Sequence, residues 1–412
     1  MTLAVFEDES WQQFAPLAYT RHLAQISWGT RTLAESWAAL ASPRDVVLWG
    51  RPEVGLAGEE SVKGYNTILD GDVLFVNARL RPQKSVWSLL ERPGHFAAWS
   101  RGRVLALRGN AKALEPGVVN SRKLARLAKE MDAIELPATA EFNGPWHLIE
   151  SNGLAIAEQA GHFEEALELP EKVALNGPPS NLRVHASVEL EGQVSFDTRL
   201  GPVVVREGTT IDSFTRIAGP CYVGQGNRIK SALLRGGTSL FEGCTVGGEV
   251  ENSIMLAHSN KAHLGYVGDS IVGEWVNLGA GCVFSNLKNT YGNVRVEVGG
   301  KKVDTEMVKL GPVIGDMAKV SIGALVFAGR NVGVSSHVVN LVDRNVPSFT
   351  YFDGGSGRKV ELLVDSAVET QKRMMERRGM TLSKAREGLI RRLFRTTAAE
   401  RRKAGVRKGR LS

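Results

Sequence analysis

The sequence predicts an α/β domain, then a parallel β-helix with a hexapeptide repeat, then a helical C-terminal tail. Three observations predict this order: strand and helix patterns alternate over residues 1–165, a six-residue apolar period follows, and a basic amphipathic stretch comes last. Of the 412 residues, 43% are hydrophobic and 23% are charged, which excludes a chain that is disordered throughout.

Residues 1–165 are predicted to form the α/β domain. Short apolar runs that predict strands lie at Leu3–Phe6, Val46–Trp49 and Val73–Val76. Helical patterns lie at about 31–40, 84–91, 121–131 and 146–160. This alternation favours a mostly parallel sheet with helices on its faces. A stretch rich in proline, glycine and asparagine predicts a linker over residues 166–183.

A six-residue period predicts a β-helix over residues 184–350. The aliphatic residues in this period are Ile211, Ile217, Val223, Ile229, Val272, Leu278, Ile314, Val320, Val326, Val332 and Val338. Each short strand of such a helix contributes one aliphatic side chain to a stacked interior. Gly273 and Gly279 each follow an aliphatic residue, where a bulky side chain would clash. The competing interpretation is a β-sandwich with coincidental spacing. Residues 288–312 interrupt the period and predict a projecting hairpin.

The tail over residues 351–412 is predicted to be helical, with a disordered end. Residues 371–412 hold 15 Lys and Arg against 3 Asp and Glu, whereas the rest of the chain holds 36 against 41. Ser366 and Glu369 have the spacing of a capping box. Packing against a neighbouring subunit is the favoured role for the basic helix. Binding to nucleic acid or to an anionic membrane remains the alternative, although no nucleic-acid motif supports specific recognition.

Three cysteines without a C-x-x-C pair argue against a disulfide framework and a thiolate zinc site, and they fit a reducing cytoplasm. No apolar run approaches the roughly 20 residues of a membrane helix. The first ten residues lack the basic region of a signal peptide. We therefore expect a cytoplasmic protein.

Polar residues concentrate in the middle of the aliphatic repeat, within K-A-H-L-G-Y-V-G-D, V-N-L-G-A-G and S-N-L. Residues roughly 18 apart stack in a β-helix, so side chains of this segment can converge. The segment resembles the acetyltransferase half of the bifunctional N-acetylglucosamine-1-phosphate uridyltransferases of the GlmU type. That resemblance implies a left-handed β-helix over about 205–345. The N-terminal PLAYTRH and WGTRTLAESW resemble a divergent GlmU-like subfamily of sugar nucleotidyltransferases, which implies a Rossmann-like first domain.

The resemblance assigns roles to individual residues of the β-helix. It places the catalytic base on His263, and an imidazole suits proton removal near neutral pH. Its contact with the substrate phosphate falls on Arg235, and its other substrate contacts fall on Tyr266, Asn277, Asn286 and Lys288. Its acyl-CoA contacts fall on Ala280 and on Ser321, which is adjacent to the aligned Ile322. The sequence departs from the family in two respects: residues 231–260 contain no lysine to hold a sugar phosphate, and Leu287 stands where the family has a tyrosine.

The first domain departs further from the family. It has no glycine-rich phosphate loop after its first strand, only the later fragment Trp28–Arg31. Arg21 and Arg31 are the candidate phosphate contacts. Asp72, or Asp70, is the candidate ligand for Mg²⁺, which prefers carboxylates. The family's metal aspartate corresponds to Asn77, which weakens that site.

The predicted function is therefore that of a homotrimeric sugar-nucleotide transferase. The β-helix would transfer an acyl group, with acetyl-CoA as donor, to an amino-sugar phosphate. The first domain would transfer a nucleotidyl group from a nucleoside triphosphate to a sugar 1-phosphate. One alternative is a catalytically degenerate regulator or scaffold that binds a sugar nucleotide. The other is a trimeric zinc enzyme using His258 and His263, for which His185 lies too far upstream.

Overall fold

The computed structural model describes residues 2–42, 45–57, 64–164 and 168–409. Its backbone contacts divide the chain into two compact units. The first unit comprises Met1–Ser27, Arg31–Pro145 and Ser383–Leu389. The second comprises Trp28–Thr30, Trp146–Leu382 and Ile390–Ser412. The boundary predicted between residues 165 and 166 lies outside the described residues.

A six-stranded mixed sheet forms the centre of the first unit. Its strands are β1 (Thr2–Phe6), β2 (Asp45–Trp49), β3 (Asp72–Asn77), β4 (Phe96–Ser100), β5 (Arg103–Asn110) and β6 (Asp132–Glu135), in the spatial order β2-β1-β3-β5-β4-β6. The three predicted strands are confirmed, and β1 pairs in parallel with both β2 and β3. The sheet is less parallel than predicted because β5 is antiparallel to β3 and to β4. Arg101 and Gly102 join β4 to β5 with φ of 49° and 73°, a tight turn that only antiparallel neighbours can use.

Short helices connect and cover these strands. The α-helices of this region are Leu33–Ala41, Pro52–Ala57, Lys84–Leu90 and Ser121–Ala128. The 3-10 segments are Glu9–Phe14, Leu17–Tyr19, Leu23–Gln25, Ala111–Ala113 and Ala138–Ala140, and two-residue strands lie at Ser27–Trp28 and Arg31–Thr32. Helix Leu33–Ala41 begins at a capping box, in which Thr32 and Glu35 each bond the other's backbone N–H. One face of the sheet packs its core from Ala4, Phe6, Phe75, Ala97 and Leu107.

The second unit is a parallel β-solenoid with three faces, which confirms the predicted hexapeptide β-helix. The strands of its first face are Leu182–Val184, Val203–Val205, Cys221–Val223, Thr238–Leu240, Ile254–Met255, Ile271–Val272, Val313–Ile314 and Asn331–Val332. Those of the second face are Glu189–Leu190, Thr210–Ile211, Asn260–Lys261, Asn277–Leu278, Lys319–Val320 and His337–Val339. Those of the third face are Ala174–Asn176, Ser195–Asp197, Arg216–Ala218, Tyr266–Gly268, Val283–Phe284, Leu325–Val326 and Leu341–Val342. Arg228–Leu234 and Thr245–Glu251 run through both of the last two faces.

The six-residue period produces the solenoid core. The aliphatic residues of the predicted period are at most 1% exposed and share one cluster. Gly279 is needed because a Cβ there would lie 2.5 Å from the backbone N of Ile322 in the next coil. The coil is interrupted as predicted: Arg295–Val298 and Lys301–Asp304 form an antiparallel hairpin, joined by Gly299 and Gly300.

Helix Pro145–Gln159 belongs almost entirely to the second unit, although its sequence pattern placed it in the α/β domain. Asn152 Nδ2 donates to Gly237 O at 2.8 Å and to Ser239 Oγ at 2.9 Å, which ties the helix to the solenoid. Short 3-10 segments follow at Ala160–His162 and Pro179–Asn181. Part of the predicted linker is solenoid, since Ala174–Asn176 pairs with Ser195–Asp197.

The C-terminal part contains a strand hairpin and three helices. Strands Thr350–Asp353 and Arg358–Glu361 precede helices Val364–Glu376, Lys384–Thr396 and Ala398–Lys403. The first helix starts before Ser366, so the predicted capping box does not form. No helix among the described residues is both long and apolar enough to span a membrane.

The prediction that the last residues are disordered is wrong as far as residue 409. Arg401 is 2% exposed, and its guanidinium bonds Glu361 Oε2 and Phe394 O at 2.7 Å each. The guanidinium also lies 4.2 Å from the centre of the Phe394 ring. These contacts anchor a segment that is rich in arginine and lysine. Residues 410–412 lie outside the described part.

Candidate functional site

The polar segment of the solenoid surrounds one corner between the second and third faces. His263 lies in the corner 262–265, between strands Asn260–Lys261 and Tyr266–Gly268, and its side chain is exposed. Corners 279–282 and 321–324 occupy the same position in the following coils, as the bonds Gly281 N to Leu264 O and Gly323 N to Ala280 O show. We call these three corners the corner column. Ala280 and Ser321, the predicted acyl-CoA contacts, lie in the corner column with His263.

A hydrogen-bonded network lies on the third face beside this corner. Tyr266 Oη donates to Glu251 Oε2 at 3.0 Å and accepts from Asn286 Nδ2 at 2.9 Å. Asn286 Nδ2 also donates to Asp269 Oδ2 at 2.5 Å, and Asn252 Nδ2 donates to Asp269 Oδ1 at 2.7 Å. The structure therefore brings together Tyr266 and Asn286, two of the predicted substrate contacts.

Coil spacing explains why these side chains meet. Tyr266 pairs in register with Glu249 in the coil before it and with Val283 in the coil after it, each 17 residues away. Glu251 and Asn252 are not among the site residues predicted from the sequence. Counting one coil back from Asp269 would have found Asn252.

Electrostatics keep the proton on the phenol of Tyr266. Burial, and then the hydrogen bond to the Glu251 carboxylate, raise the pKa of Tyr266 above its ordinary value. Burial also raises the pKa of Asp269, although the amides of Asn252 and Asn286 partly stabilise its charge. The network thus offers a phenol, two amides and two carboxyl groups to a polyhydroxylated ligand, which needs fixed donors and acceptors.

Arg235, the predicted phosphate contact, reaches the same face but carries a partner. Its Nε donates to Glu249 Oε1 at 2.6 Å, and this bond raises the pKa of Arg235. The half-buried carboxylate of Glu249 therefore balances the guanidinium charge. A phosphate that binds here must compete with Glu249.

Two predicted substrate contacts lie outside this network. Asn277 is on the second face, where its Oδ1 accepts from Asn260 Nδ2 at 2.8 Å. Lys288 lies at the start of the projecting insertion, where its Nζ donates to Asn293 O.

The two histidines of the zinc alternative lie at different corners. His258 stacks on Trp275 with ring centres 4.5 Å apart, and its Nε2 is 3.3 Å from Glu242 Oε1. His263 belongs to the corner column. Across residues 2–42, 45–57, 64–164 and 168–409, no group of three or more His, Cys, Asp or Glu side chains could hold a metal ion.

In the first unit, the predicted site residues lie at opposite ends of the sheet. Asp72 starts β3, and its Oδ2 accepts from Arg108 Nη2 at 2.8 Å and Nε at 3.0 Å. Arg21 is buried, and its carbonyl accepts from Arg51 Nη2 at 2.8 Å beyond the other end of β2. Arg31 is half-buried, which lowers the pKa of its guanidinium.

The carboxyl ends of β1 and β3, where open α/β sheets bind ligands, are filled by buried ion pairs. Glu7 binds Arg51 through both oxygens, at 2.9 and 3.0 Å. Asp8 Oδ2 accepts from Asn77 Nδ2 at 2.8 Å and lies 3.5 Å from Arg79 Nη2. Because an amide donor and a guanidinium surround Asp8, and Asp72 is paired with Arg108, the described residues do not fit Mg²⁺.

The fragment Trp28–Thr30 serves a structural role in the second unit. Gly29 N donates to Asn152 Oδ1 at 2.8 Å, and Thr30 N donates to Gln159 Oε1 at 2.7 Å. Ser239 Oγ donates to Gly29 O at 2.6 Å. These bonds use the backbone N–H groups that a phosphate loop would present to its ligand.

Comparison with known proteins places relatives on both halves of the chain. Residues 3–166 match the family model described as sugar nucleotidyl transferase. A bifunctional sugar-1-phosphate nucleotidylyltransferase/acetyltransferase of Sulfurisphaera tokodaii is 35% identical over 167 residues, 39% of this chain and 42% of that relative. A bifunctional protein GlmU of Methanococcus aeolicus is 24% identical over 302 residues, 69% of this chain and 72% of that relative.

A solved UDP-N-acetylglucosamine acyltransferase of Francisella novicida covers 50% of this chain and 74% of its own, with 16% identity. Its TM-score is 0.25. The chain spans less than half the length of the Sulfurisphaera relative. The family match over residues 3–166 and the GlmU relatives confirm the resemblance to the GlmU-like sugar nucleotidyltransferases.

Proposed function

We propose that the solenoid transfers an acyl group, acetyl in the first instance, from acyl-CoA to the amine of an amino-sugar phosphate. The observation that supports this most is the position of His263, exposed in the corner column beside the network of Tyr266, Asn286 and Asp269. The names of the GlmU relatives agree with it.

In this reaction, His263 accepts a proton from the acceptor amine while the amine nitrogen attacks the thioester carbonyl carbon. A C–N bond forms, the C–S bond breaks, and CoA leaves as a thiolate that takes the proton back from the imidazolium. Tyr266 and Asn286 bind acceptor hydroxyls, and Ala280 and Ser321 line the path of the acyl donor. A positioned general base contributes about 10²–10⁴-fold to such a step.

A mass-spectrometric assay tests this proposal. Purified protein is incubated with acetyl-CoA and glucosamine 1-phosphate, and the products are examined for the acceptor plus one acetyl group. Glucose 1-phosphate, which lacks the amine, is the matched control. We expect acetylation of the amino sugar alone. Acetylation of neither compound, or of both equally, would contradict transfer to the amine.

For the first unit, we propose nucleotidyl transfer from a nucleoside triphosphate to a sugar 1-phosphate, which the family match over residues 3–166 supports. The oxygen of the sugar phosphate would attack the α-phosphorus, and diphosphate would leave. The set of Asp8, Asn77 and Arg79 does not form a site that fits Mg²⁺, so the proposed reaction includes no step at a metal ion. The ion pairs at the carboxyl ends of β1 and β3 favour a second candidate function for this unit. In that function, the unit binds the sugar nucleotide but does not turn it over. Release of diphosphate from UTP with N-acetylglucosamine 1-phosphate distinguishes the two.

We further propose a cytoplasmic homotrimer with acyl-donor sites between neighbouring solenoids. Exposed apolar side chains on the corner column and third face support an interface there: Leu264, Ile322, Leu325 and Phe327. Cys221, Cys244 and Cys282 are buried free thiols, which suits a reducing compartment. Light scattering coupled to size-exclusion chromatography measures the molar mass of the purified protein. We expect the mass of a trimer, and the mass of a monomer would contradict the proposal.

A further inference from the structure

One interior position of the solenoid holds a lysine where the neighbouring coils hold aliphatic residues. Register along the second face aligns Ile211, Ile229, Val246, Lys261, Leu278, Val320 and Val338. Lys261 is 2% exposed, and the aliphatic residues aligned with it are likewise buried in the core. A hydrophobic residue would therefore satisfy the packing at position 261.

The ammonium of Lys261 joins two corners of successive coils. Its Nζ donates to Gly247 O at 2.5 Å and to His263 O at 3.0 Å. A Cβ on Gly248 would lie only 3.0 Å from Nζ, so the glycine leaves room for the ammonium. The lysine thus fixes the backbone of the residue that carries the proposed base.

Burying the ammonium of Lys261 costs free energy, so its presence in the core indicates a role other than packing. An ammonium taken out of water loses its hydration, and only good hydrogen bonds offset that loss. Burial lowers the pKa of Lys261 to about 8, so most of the population still carries the charge at neutral pH. The fold does not require the charge, because Val246 and Leu278 fill the equivalent positions.

We infer that Lys261 is a positioning residue, whose ammonium holds corner 262–265 so that the imidazole of His263 faces the acceptor. This inference rests on the proposed acyl transfer. Lys261 itself touches neither substrate; it acts through the carbonyl of His263.

The test compares Lys261→Met with the wild-type protein, using Lys261→Leu as a second variant because Leu278 fills this position in the next coil. Val246→Ala is the matched control, since it alters the same interior ladder without removing a bond to the corner. Amide hydrogen exchange of the peptide that spans the corner is measured first. We expect faster exchange in both lysine variants and no local change in the control, while urea unfolding shows all proteins folded. Unchanged exchange at the corner would overturn the positioning role.

Steady-state acetyl transfer is measured next on the same proteins. We expect Lys261→Met to lower kcat about 10- to 100-fold, the scale of a misplaced catalytic group, with KM for the acceptor unchanged. A purely structural lysine would lower the free energy of unfolding and leave kcat near the wild-type value, which would overturn the inference. If the wild-type protein transfers no acyl group, the proposed function fails, and the link from Lys261 to catalysis fails with it. Hydrogen exchange still shows in that case whether the lysine fixes the corner.

Discussion

Charged side chains are placed differently in the two units. In the first unit, Glu7 binds Arg51, and Arg79 binds both Asp8 and Glu141. All five side chains are buried. In the solenoid, Glu251 and Tyr266 interact on the outer face, beside an exposed histidine. Buried groups whose bonds are satisfied internally mainly stabilise a fold, whereas partly exposed ones can exchange a partner for a ligand. This difference is why the catalytic proposal rests on the solenoid.

Arg79→Met tests the internal role of the charges in the first unit. Arg79 is 1% exposed, and its Nη1 lies 3.0 Å from Glu141 Oε1 while its Nη2 lies 3.5 Å from Asp8 Oδ2. Its loss leaves Asp8 without this buried cation and leaves Glu141 with Arg103 alone. We expect the free energy of unfolding to fall by about 3–5 kcal/mol. Arg108→Met is the control, because its partner Asp72 is 42% exposed and a pair near the surface contributes about 0–1 kcal/mol. Equal losses in urea unfolding of the two variants would contradict the contrast.

Ile217→Ala tests the solenoid interior. Ile217 is fully buried on the third face, and truncation of such a side chain costs about 2–5 kcal/mol. The control is Leu200→Ala, which removes the same number of carbon atoms from a solenoid side chain that is 89% exposed, and we expect a change within about 0.5 kcal/mol. Urea unfolding measures both. Equal losses in the two variants would contradict the interior role of Ile217.

His337→Gln has the smallest expected effect at neutral pH, because it changes mainly the pH dependence of stability. Burial, and then the charge of Lys319 beside it in the ladder, lower the pKa of His337 to about 4. Between roughly pH 6.5 and pH 4, the unfolded chain binds a proton at this residue and the folded chain does not, so acidification destabilises the fold. The variant should lose less stability than the wild type between pH 7 and pH 4. Parallel curves for the two proteins would refute the assignment.

The repeat made the solenoid predictable, and long-range ion pairs made other parts unpredictable. Every coil repeats the same geometry, so the six-residue period predicts which side chains point into the interior. Ile217 and Val320 both lie in this period, and both are buried. The residues that form the buried ion pairs of the first unit are far apart in sequence, namely Glu7, Arg51, Arg79 and Glu141. No local sequence pattern therefore predicts their contacts. The partner of Arg401 is likewise 40 residues away, at Glu361. Local composition therefore predicted disorder where a buried ion pair orders the chain.

The candidate site was predictable where the coil spacing and the resemblance point to the same residues. His263, Tyr266 and Asn286 lie around one corner and face, and Ala280 and Ser321 continue the corner column. Lys261 belongs to the polar segment that the sequence singles out, but no role could be assigned to it because the sequence alone does not show that its side chain points into the core. Its interior position became visible only from the register with Val246.

The most direct test of the account is the rate of CoA thiol release from acetyl-CoA with glucosamine 1-phosphate, compared between His263→Ala and His258→Ala. The two histidines are five residues apart, but His258 stacks on Trp275 at another corner. The account predicts a loss of about 10²–10⁴-fold for His263→Ala and a near wild-type rate for a folded His258→Ala. Full activity in a folded His263→Ala variant would contradict the assignment of the base and of the site around it.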